Sequence, residues 1–222
     1  MTKKIDTIVC IYLSEQDSWL LKYFYECLFG QVFIKDDRFS IYEIYADIHL
    51  KAPYVSQNKV YLNTPEHYSK LSLKTFEMIK YFSSNFHFSR LIKIDVTCAK
   101  LFVHRDNEEK DYPRIDIKLL EELILSQPPY DDYAGILFHD RPSRKCIENW
   151  AREKGASIDI SKIFSDSQVM PSWYSGKCYA VSYLFAKYIA DNGRDMAARH
   201  SDFLWGSEDM MVGRLYESFK KS

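Results

Sequence analysis

Long apolar runs, paired cysteines and an excess of charge are all missing from this 222-residue sequence. No window approaches the roughly 18 apolar residues that a membrane-spanning helix needs, and the apolar stretch 8–13 is too short for a secretory signal. The 30 basic residues are balanced by 31 acidic ones, which argues against a protein that binds nucleic acid. The five cysteines form no CxxC pair, as expected of free thiols in a reducing compartment. We therefore expect a cytoplasmic protein with no transmembrane segment and no nucleic-acid partner.

Proline-rich or glycine-rich linkers, internal repeats and low-complexity tracts are missing too, so we expect one domain over residues 1–222. Apolar residues make up 46% of the chain, enough to bury a sizeable core. Strand, helix and strand patterns follow one another across residues 1–96. This order predicts an α/β fold with a central, mainly parallel sheet flanked by helices on both faces.

The apolar periodicity and the capping residues predict the individual elements. Ser14 is expected to cap a helix that ends at Gly30, and Thr64 and Pro65 are expected to begin another. The predicted strands are Thr7–Leu13, Gln31–Ile34, Ile44–Leu50, Ser89–Val96 and Tyr133–Phe138. The remaining predicted helices are Lys118–Ser126, Ser182–Asp191 and one that starts at about Glu208.

Asp95 follows the apolar residues of the strand predicted over residues 89–96. In open α/β sheets ligands bind beyond the carboxyl ends of the strands, so this carboxylate is well placed to meet a nucleotide or its metal ion. The alternative is a structural role, because aspartates commonly form turns and cap helices at strand ends.

A second candidate is the segment 170–182, in which Gly176 stands among aromatic residues. The glycine permits a ligand to approach the backbone closely, and exposed faces of Trp173 and Tyr174 can stack on sugar rings. The alternative is a turn into a core strand, with both rings packed.

Glu208 and Asp209 form a third candidate at the start of the last helix. Carboxylates there are favoured by the helix dipole, which is sufficient as a structural explanation. The functional interpretation is that a carboxylate held at a helix start and aimed into a pocket acts as a general base.

Five segments in order resemble the β-1,3-galactosyltransferase and β-1,3-N-acetylglucosaminyltransferase family, to which the fringe enzymes are related. The family patterns are approximately YGDI, DxYxNLTLKT, KxDDDV, YPxYxSGxGYxxS and EDVxxG. The corresponding segments here are YADI (45–48), HYSKLSLKT (67–75), LIKIDV (91–96), PSWYSGKCYAVS (171–182) and EDMMVG (208–213). The resemblance spans roughly residues 43–213, and ordered blocks are more specific than any single one.

The resemblance implies an inverting glycosyltransferase with a GT-A type fold. Such an enzyme moves a hexose or N-acetylhexosamine from a UDP-sugar to a hydroxyl of a glycan or lipid-linked glycan, with a β-1,3 linkage expected. A role in surface polysaccharide synthesis would suit a cytoplasmic hexosyltransferase, and peripheral membrane contact would be compatible with it. Residues 1–100 would form the nucleotide-sugar-binding half and residues 101–222 the acceptor-binding half.

Individual roles follow from the matched positions. Asp209 matches the base that deprotonates the acceptor hydroxyl, and Glu208 is its neighbour in the same motif. Trp173 and Tyr174 fall where acceptor contacts are expected. The positions expected at the donor are Lys74, Lys93, Asp95, Ser175, Gly176 and Lys177.

The metal-binding motif departs from the family pattern. Asp95 is the acidic residue that remains of the aspartate triplet, either as its first member or, with a deletion, as the metal ligand itself. No histidine follows Asp209, although the family uses one there as a ligand. Mn²⁺ or Mg²⁺ needs several oxygen ligands, so either Lys177 or Arg105 replaces the ion in a metal-independent reaction, or catalysis is impaired.

Two other classes of protein remain open from the sequence. One is a catalytically silent module that binds a glycan or nucleotide sugar on the same fold. The other is a structural or interaction protein in which the motifs are accidental.

Overall fold

A seven-stranded sheet lies at the centre of the protein. The computed structural model describes residues 4–26, 28–66, 70–99, 117–127, 130–140, 143–153, 172–199 and 208–222. The strands are β1 (Lys4–Tyr12), β2 (Phe39–Ala46), β3 (Tyr54–Ser56), β4 (Lys59–Leu62), β5 (His87–Asp95), β6 (Tyr133–Gly135), β7 (Phe138–His139), β8 (Trp173–Tyr174) and β9 (Cys178–Ser182).

The order of the strands across the sheet is β3-β4-β2-β1-β5-β9-β6, while β7 and β8 form a separate two-stranded ribbon. Strands β4, β2, β1 and β5 are parallel to one another. Strand β9 is antiparallel to both of its neighbours, and the edge strand β3 is antiparallel to β4. The sheet is therefore mainly parallel, which confirms the predicted α/β class.

The helices cover both faces of this sheet. They are α1 (Leu20–Glu26), α2 (Leu28–Lys35), α3 (Leu71–Asn85), α4 (Ile117–Leu125), α5 (Arg144–Glu153), α6 (Tyr183–Arg199) and α7 (Glu208–Phe219), with 3-10 turns at Glu15–Asp17 and Val96–Ala99. Among the described residues, no helix has the length and apolar character to cross a membrane.

Successive side chains of β1 point to opposite faces, as the pleat of a strand requires. Ile8, Cys10 and Tyr12 pack with α3, α6 and α7, which we call the α3 face. Val9 and Ile11 pack with α1, α2 and α4, which we call the α1 face. Each face has its own buried core, so the sheet is covered on both sides.

Two helical connections next to β1 lie on opposite faces of the sheet. From β1 it passes through α1 and α2 on the α1 face to β2, whereas from β4 it passes through α3 on the α3 face to β5. Strands β2 and β5 both lie beside β1, so the strand order reverses there. In open α/β sheets, the crevice beyond the carboxyl ends at such a point binds the ligand. Asp95 ends β5 at this edge of the sheet, opposite Tyr12 of β1, so its predicted position at the carboxyl end of a central strand is confirmed.

Several predicted elements are wrong. Gln31–Ile34 belongs to α2, because the helical chain continues through Gly30. Thr64 does not begin a helix, since its N–H bonds to the carbonyl of Leu62 and holds a turn there. Helix α3 instead begins at Leu71, and α5 was not predicted.

The predicted strand over residues 44–50 is also misplaced, because β2 ends at Ala46. The carboxylate of Asp47 accepts a hydrogen bond from the N–H of His49 and forms a turn. His67–Ser69 of the resembling segment, the loop 104–116 with Arg105, and residues 170, 171 and 207 lie outside the described residues.

Candidate functional site at the carboxyl edge of the sheet

Asp95 and Lys177 lie side by side at the end of β5. The N–H of Asp95 donates to the carbonyl of Lys177 (2.8 Å), which joins the end of β5 to the turn before β9. The Nζ of Lys177 donates to Oγ1 of Thr97 (2.5 Å), and the same hydroxyl donates to Oδ1 of Asp95 (2.5 Å). All three side chains are partly exposed. A carboxylate and an ammonium group therefore lie together at the carboxyl edge of the sheet.

Asp209 lies at the start of α7 and contacts the same turn. Its Oδ2 accepts a hydrogen bond from the N–H of Gly176 (3.0 Å), and its Oδ1 accepts one from the N–H of Met210 (2.9 Å). The first turn of a helix offers unpaired N–H groups, so a carboxylate is stabilised there. The Trp173–Cys178 turn and the Glu208–Asp209 pair, which the resemblance assigns to one site, meet by direct contact.

A buried ion pair lies directly beneath this contact. The Nζ of Lys93 is 2.7 Å from Oε1 of Glu208 and also donates to the carbonyl of Gly176. Both side chains are almost fully buried, at 3% and 5% exposure. A buried ion pair needs further hydrogen bonds to offset the loss of hydration, and the surrounding hydroxyl groups supply them.

These hydroxyl groups come from three elements. The hydroxyl of Tyr179 in β9 donates to Oε2 of Glu208 (2.7 Å), and Thr75 of α3 donates to the same oxygen (3.5 Å). Tyr12 of β1 is hydrogen-bonded to Thr75 (3.1 Å), and its ring lies 4.6 Å from the Nζ of Lys93. The ion pair is thus linked to the strands on both sides of β5 and to two helices.

Lys74 forms a separate buried contact at the end of β1. Its Nζ donates to the carbonyl of Leu13 (2.6 Å) and lies 2.8 Å from Oε2 of Glu66, whose side chain is 30% exposed. Lys74 and Lys93 were both predicted to bind the donor. The structure places both lysines beneath the surface, with their ammonium groups already hydrogen-bonded to neighbouring residues. Their contact with a donor stays a prediction.

The charges at the site shift the pKa values of its groups. Burial disfavours the ammonium form of Lys93, but the carboxylates of Glu208 and Asp95 outweigh it and raise the pKa. Burial raises the pKa of Asp209, against the opposing effect of hydrogen bonds from Gly176 and Met210. Asp209 is consequently a stronger proton acceptor than a solvated aspartate.

The aromatic residues near the turn differ in exposure. Trp173 is only 7% exposed and stacks on His139 (5.2 Å between ring centroids), so its placement favours packing over sugar stacking. Tyr174 is partly buried and lies against Gly135, where an added Cβ atom would come within 2.3 Å of the tyrosine. Phe138, opposite Tyr174 in the ribbon, is 58% exposed with its ring 5.1 Å from that of Tyr174. Of these three rings, Phe138 is the most accessible to a ligand, and it was not among the predicted site residues.

The side chains around Asp95 do not fit a divalent cation. Mn²⁺ and Mg²⁺ take about six oxygen ligands, but the described residues there supply one carboxylate beside the ammonium group of Lys177. The charge of that ammonium group holds the pKa of Asp95 below its usual range, against the opposing effect of burial. Within the described ranges, no three His, Cys, Asp or Glu side chains come together as metal ligands. The metal-ligand role of Asp95 stays a prediction, and Arg105 lies outside the described residues.

The structure thus collects the predicted residues Asp95, Ser175, Gly176, Lys177 and Asp209 at the edge, with Lys93 and Glu208 beneath them. Thr97 and Tyr179 were missed. The Asp-Val-Thr sequence at the end of β5 is a signal for Thr97, because an aspartate often accepts the N–H two residues on, as it does here at 2.8 Å.

No model of a known protein family matches the chain, and no curated protein matches it either. The resemblance to the β-1,3-galactosyltransferase family therefore stays a prediction.

Proposed function

We propose that this protein is an inverting glycosyltransferase of the GT-A type that transfers a hexose or N-acetylhexosamine from a UDP-sugar to a sugar hydroxyl. The observation that carries the proposal is the contact between Asp209 and Gly176 at the carboxyl edge of the sheet, next to the point where the strand order reverses, which is where open α/β sheets bind ligands. It brings a carboxylate with a raised pKa next to a turn that also carries a lysine. The acceptor is a glycan or lipid-linked glycan, as in surface polysaccharide assembly.

Asp209 acts as the general base in this proposal. It takes the proton from the acceptor hydroxyl as the acceptor oxygen attacks the anomeric carbon of the donor. The bond from that carbon to the diphosphate oxygen breaks, and UDP leaves with the electron pair. Because attack and departure lie on opposite sides of the carbon, its configuration inverts.

Lys177 supplies the positive charge that the leaving diphosphate requires. Its ammonium group is partly exposed at the end of β5, beside Asp95 and Thr97. A lysine clamp on a departing phosphate stabilises the charge that develops there. The proposal therefore expects transfer to persist in the presence of EDTA.

The test is the Asp209→Asn variant, which keeps the shape of the side chain but removes its proton-accepting function. General-base catalysis contributes about 10²–10⁴-fold, so the release of UDP should fall by that factor while binding of the UDP-sugar changes little. Asp191→Asn, at an exposed position in α6, is the matched control.

A purely structural role for Asp209 predicts a different result. The variant would then lose about 0.3–1 kcal/mol of stability through the helix dipole, and about 1–3 kcal/mol more because the amide nitrogen of asparagine cannot accept the second backbone hydrogen bond. It would keep full turnover per folded molecule. Measuring UDP release and melting temperature on one preparation separates the two outcomes, and full turnover would move the base to another residue, with Glu208 the next to test.

A second candidate function is a silent module that binds a nucleotide sugar without turning it over. It is favoured by one observation, namely that each carboxylate oxygen of Asp209 already accepts a backbone hydrogen bond. Such a module would be stabilised by about 2.7 kcal/mol at a ligand concentration 100 times its dissociation constant, yet would release no UDP. A thermal-shift screen of UDP-sugars beside the UDP-release assay distinguishes the two functions.

A further inference from the structure

The peptide group of Gly176 is held from two sides. Its N–H donates to Asp209, and its carbonyl accepts a hydrogen bond from Lys93. A Cβ atom at position 176 would lie 2.7 Å from Oε1 of Glu208, closer than side chains normally approach. Glycine is therefore required for the close packing of this turn against α7, and the location of the turn depends on the groups that hold it.

Lys93 is the group that holds the turn and the helix together. It extends from β5, contacts Glu208 at the first residue of α7 (2.7 Å), and bonds to the carbonyl of Gly176. Its ammonium group also lies 4.6 Å from the ring centroid of Tyr12 and 5.8 Å from that of Tyr179. One ammonium group thus fixes the relative positions of the Gly176 turn and the helix that carries Asp209.

Stability alone is a weak explanation for this arrangement. Replacing a buried ion pair by apolar residues of similar volume is often neutral or stabilising, because the charges no longer have to be dehydrated. The surroundings of Lys93 would accept such residues, since Cys10, Tyr12 and Leu91 beside it belong to the apolar core of the α3 face. A charge kept there acts electrostatically on neighbouring titratable groups, which an apolar side chain cannot do.

We propose that Lys93 is a positioning residue that sets the place and the ionisation of the Asp209 carboxylate through Gly176 and Glu208. The proposal deepens the function proposed above and rests on it where turnover is concerned. Its electrostatic part concerns Lys93 and Asp209 alone, so it is open to a measurement that needs no substrate.

The charged and titratable groups that face Asp209 come from several elements. They are Lys93 of β5, Glu208 of α7 and Tyr133 of β6. Lys93 favours the ionised form of Asp209, whereas Glu208 disfavours it. Removing the ammonium group alone must therefore make Asp209 hold its proton to a higher pH.

The experiment compares Glu208→Gln with the double variant Lys93→Met/Glu208→Gln. The two proteins differ only by the lysine. The double variant buries no unpaired charge and is expected to fold, whereas Glu208→Gln leaves the ammonium group of Lys93 without its carboxylate and is destabilised. The titration is therefore run at a temperature at which circular dichroism shows both proteins folded. The pKa of Asp209 is read from carbon NMR of aspartate-labelled protein, with the signal assigned from Asp209→Asn. We expect a higher pKa in the double variant, and a return toward the Glu208→Gln value in Lys93→Arg/Glu208→Gln.

Turnover is measured on the same proteins with the UDP-sugar that releases most UDP. Because misplacement of a reacting group by about 1 Å costs on the order of 10²-fold, the double variant should turn over about that much more slowly than Glu208→Gln. The acid limb of its pH profile should move to higher pH, while the KM for the UDP-sugar stays the same.

The two proposals fail differently. If the wild-type protein releases no UDP from any UDP-sugar, the glycosyltransferase proposal fails, whereas the NMR titration still decides whether Lys93 controls Asp209. An identical Asp209 pKa in Glu208→Gln and the double variant overturns the positioning role, and so does equal turnover in the two when the wild type is active.

Discussion

The two faces of the central sheet are packed by different chemistry. On the α1 face, alternate residues of β1 meet the apolar side chains of α1, α2 and α4. On the α3 face, a comparable apolar core surrounds Lys74, Lys93 and Glu208, which are buried with their hydrogen-bonding partners. The α1 face buries charge too, in Arg90 and Glu43, but among the described residues only the α3 face contains an ion pair with both side chains buried.

This difference separates residues that stabilise the fold from residues that are candidates for function. Burying apolar surface stabilises the fold by about 25 cal/mol per Å², whereas burying charge is costly unless every group is paired. The buried ion pair of Lys93 and Glu208 lies where the α3 face meets the carboxyl edge, beneath Gly176 and Asp209. Several buried charges that converge at this edge are the pattern expected of a functional site.

Arg90 is buried as well, at 3% exposure, but it has a structural role. Its guanidinium group donates to the carbonyls of Leu123 and Ile124 at the end of α4 (2.7 and 2.9 Å). Those carbonyls have no partner within the helix, and a cation there is also favoured by the helix dipole. Buried charge thus marks a site only where several charges converge.

The largest effect is expected from a core residue of the α1 face. Phe24 of α1 is 1% exposed and stacks with Phe33 of α2 (6.4 Å between centroids). Phe24→Ala should lower the free energy of unfolding by about 3–5 kcal/mol, because a cavity remains after the ring is removed. Urea unfolding measures the loss, and binding of UDP-sugar to the folded protein should not change. A loss below about 1 kcal/mol would contradict the assignment of this ring to the core.

A smaller effect is expected for Lys74→Met. The change leaves the carbonyl of Leu13 without its donor, which costs about 1–3 kcal/mol. Glu66, at 30% exposure, can be hydrated instead, so the loss should stay below the roughly 3–5 kcal/mol expected when one partner of the fully buried Lys93–Glu208 pair is removed. Urea unfolding of Lys74→Met and of Lys93→Met shows which of the two variants loses more free energy of unfolding.

Lys22→Met is the matched control for that measurement. Lys22 is 75% exposed and pairs with Glu26 at 4.0 Å on the surface of α1. Such pairs contribute about 0.3–0.5 kcal/mol. If Lys74→Met were no more costly than Lys22→Met, the buried contact at the end of β1 would not be a stabilising one.

Much of the fold was predictable because the long buried strands are visible in the sequence. Strands β1 and β5 each contain a run rich in isoleucine, valine or leucine, and Asp95 was placed correctly at the end of β5. Shorter elements were less predictable. Gln31–Ile34 contains residues that suit a strand, but it belongs to α2, where Phe33 packs against Phe24 and Phe39, two residues outside that segment.

The site was predictable as a set of residues but not as an arrangement. Gly176 and Asp209 are 33 positions apart, and no local pattern shows that one bonds to the other. Exposure was equally hidden, since Trp173 and Phe138 look alike in sequence, yet only Phe138 is open to solvent. Lys93 gives no sign in the sequence that it is buried, because its partner Glu208 belongs to another element.

The smallest effect at the candidate site concerns Asp95 and depends on pH. Burial opposes its ionisation, but Lys177, Lys93 and the hydrogen bonds from Thr97 outweigh burial and hold the pKa of Asp95 below its usual range. The ionised carboxylate therefore stabilises the folded state at pH values above about 3.9, the usual unfolded value, and this contribution is lost as the pH falls through the lower folded value.

Asp95→Asn keeps the acceptor for Thr97 but loses the charge, which should cost about 0.5–1.5 kcal/mol at pH 7. The difference in unfolding free energy between the wild type and this variant should shrink as the pH is lowered from about 7 toward 3, and Asp191→Asn, at an exposed position, should show no such trend. A difference that stays constant over that range would mean that the charge of Asp95 stabilises nothing, and that the ammonium group of Lys177 is not held by it.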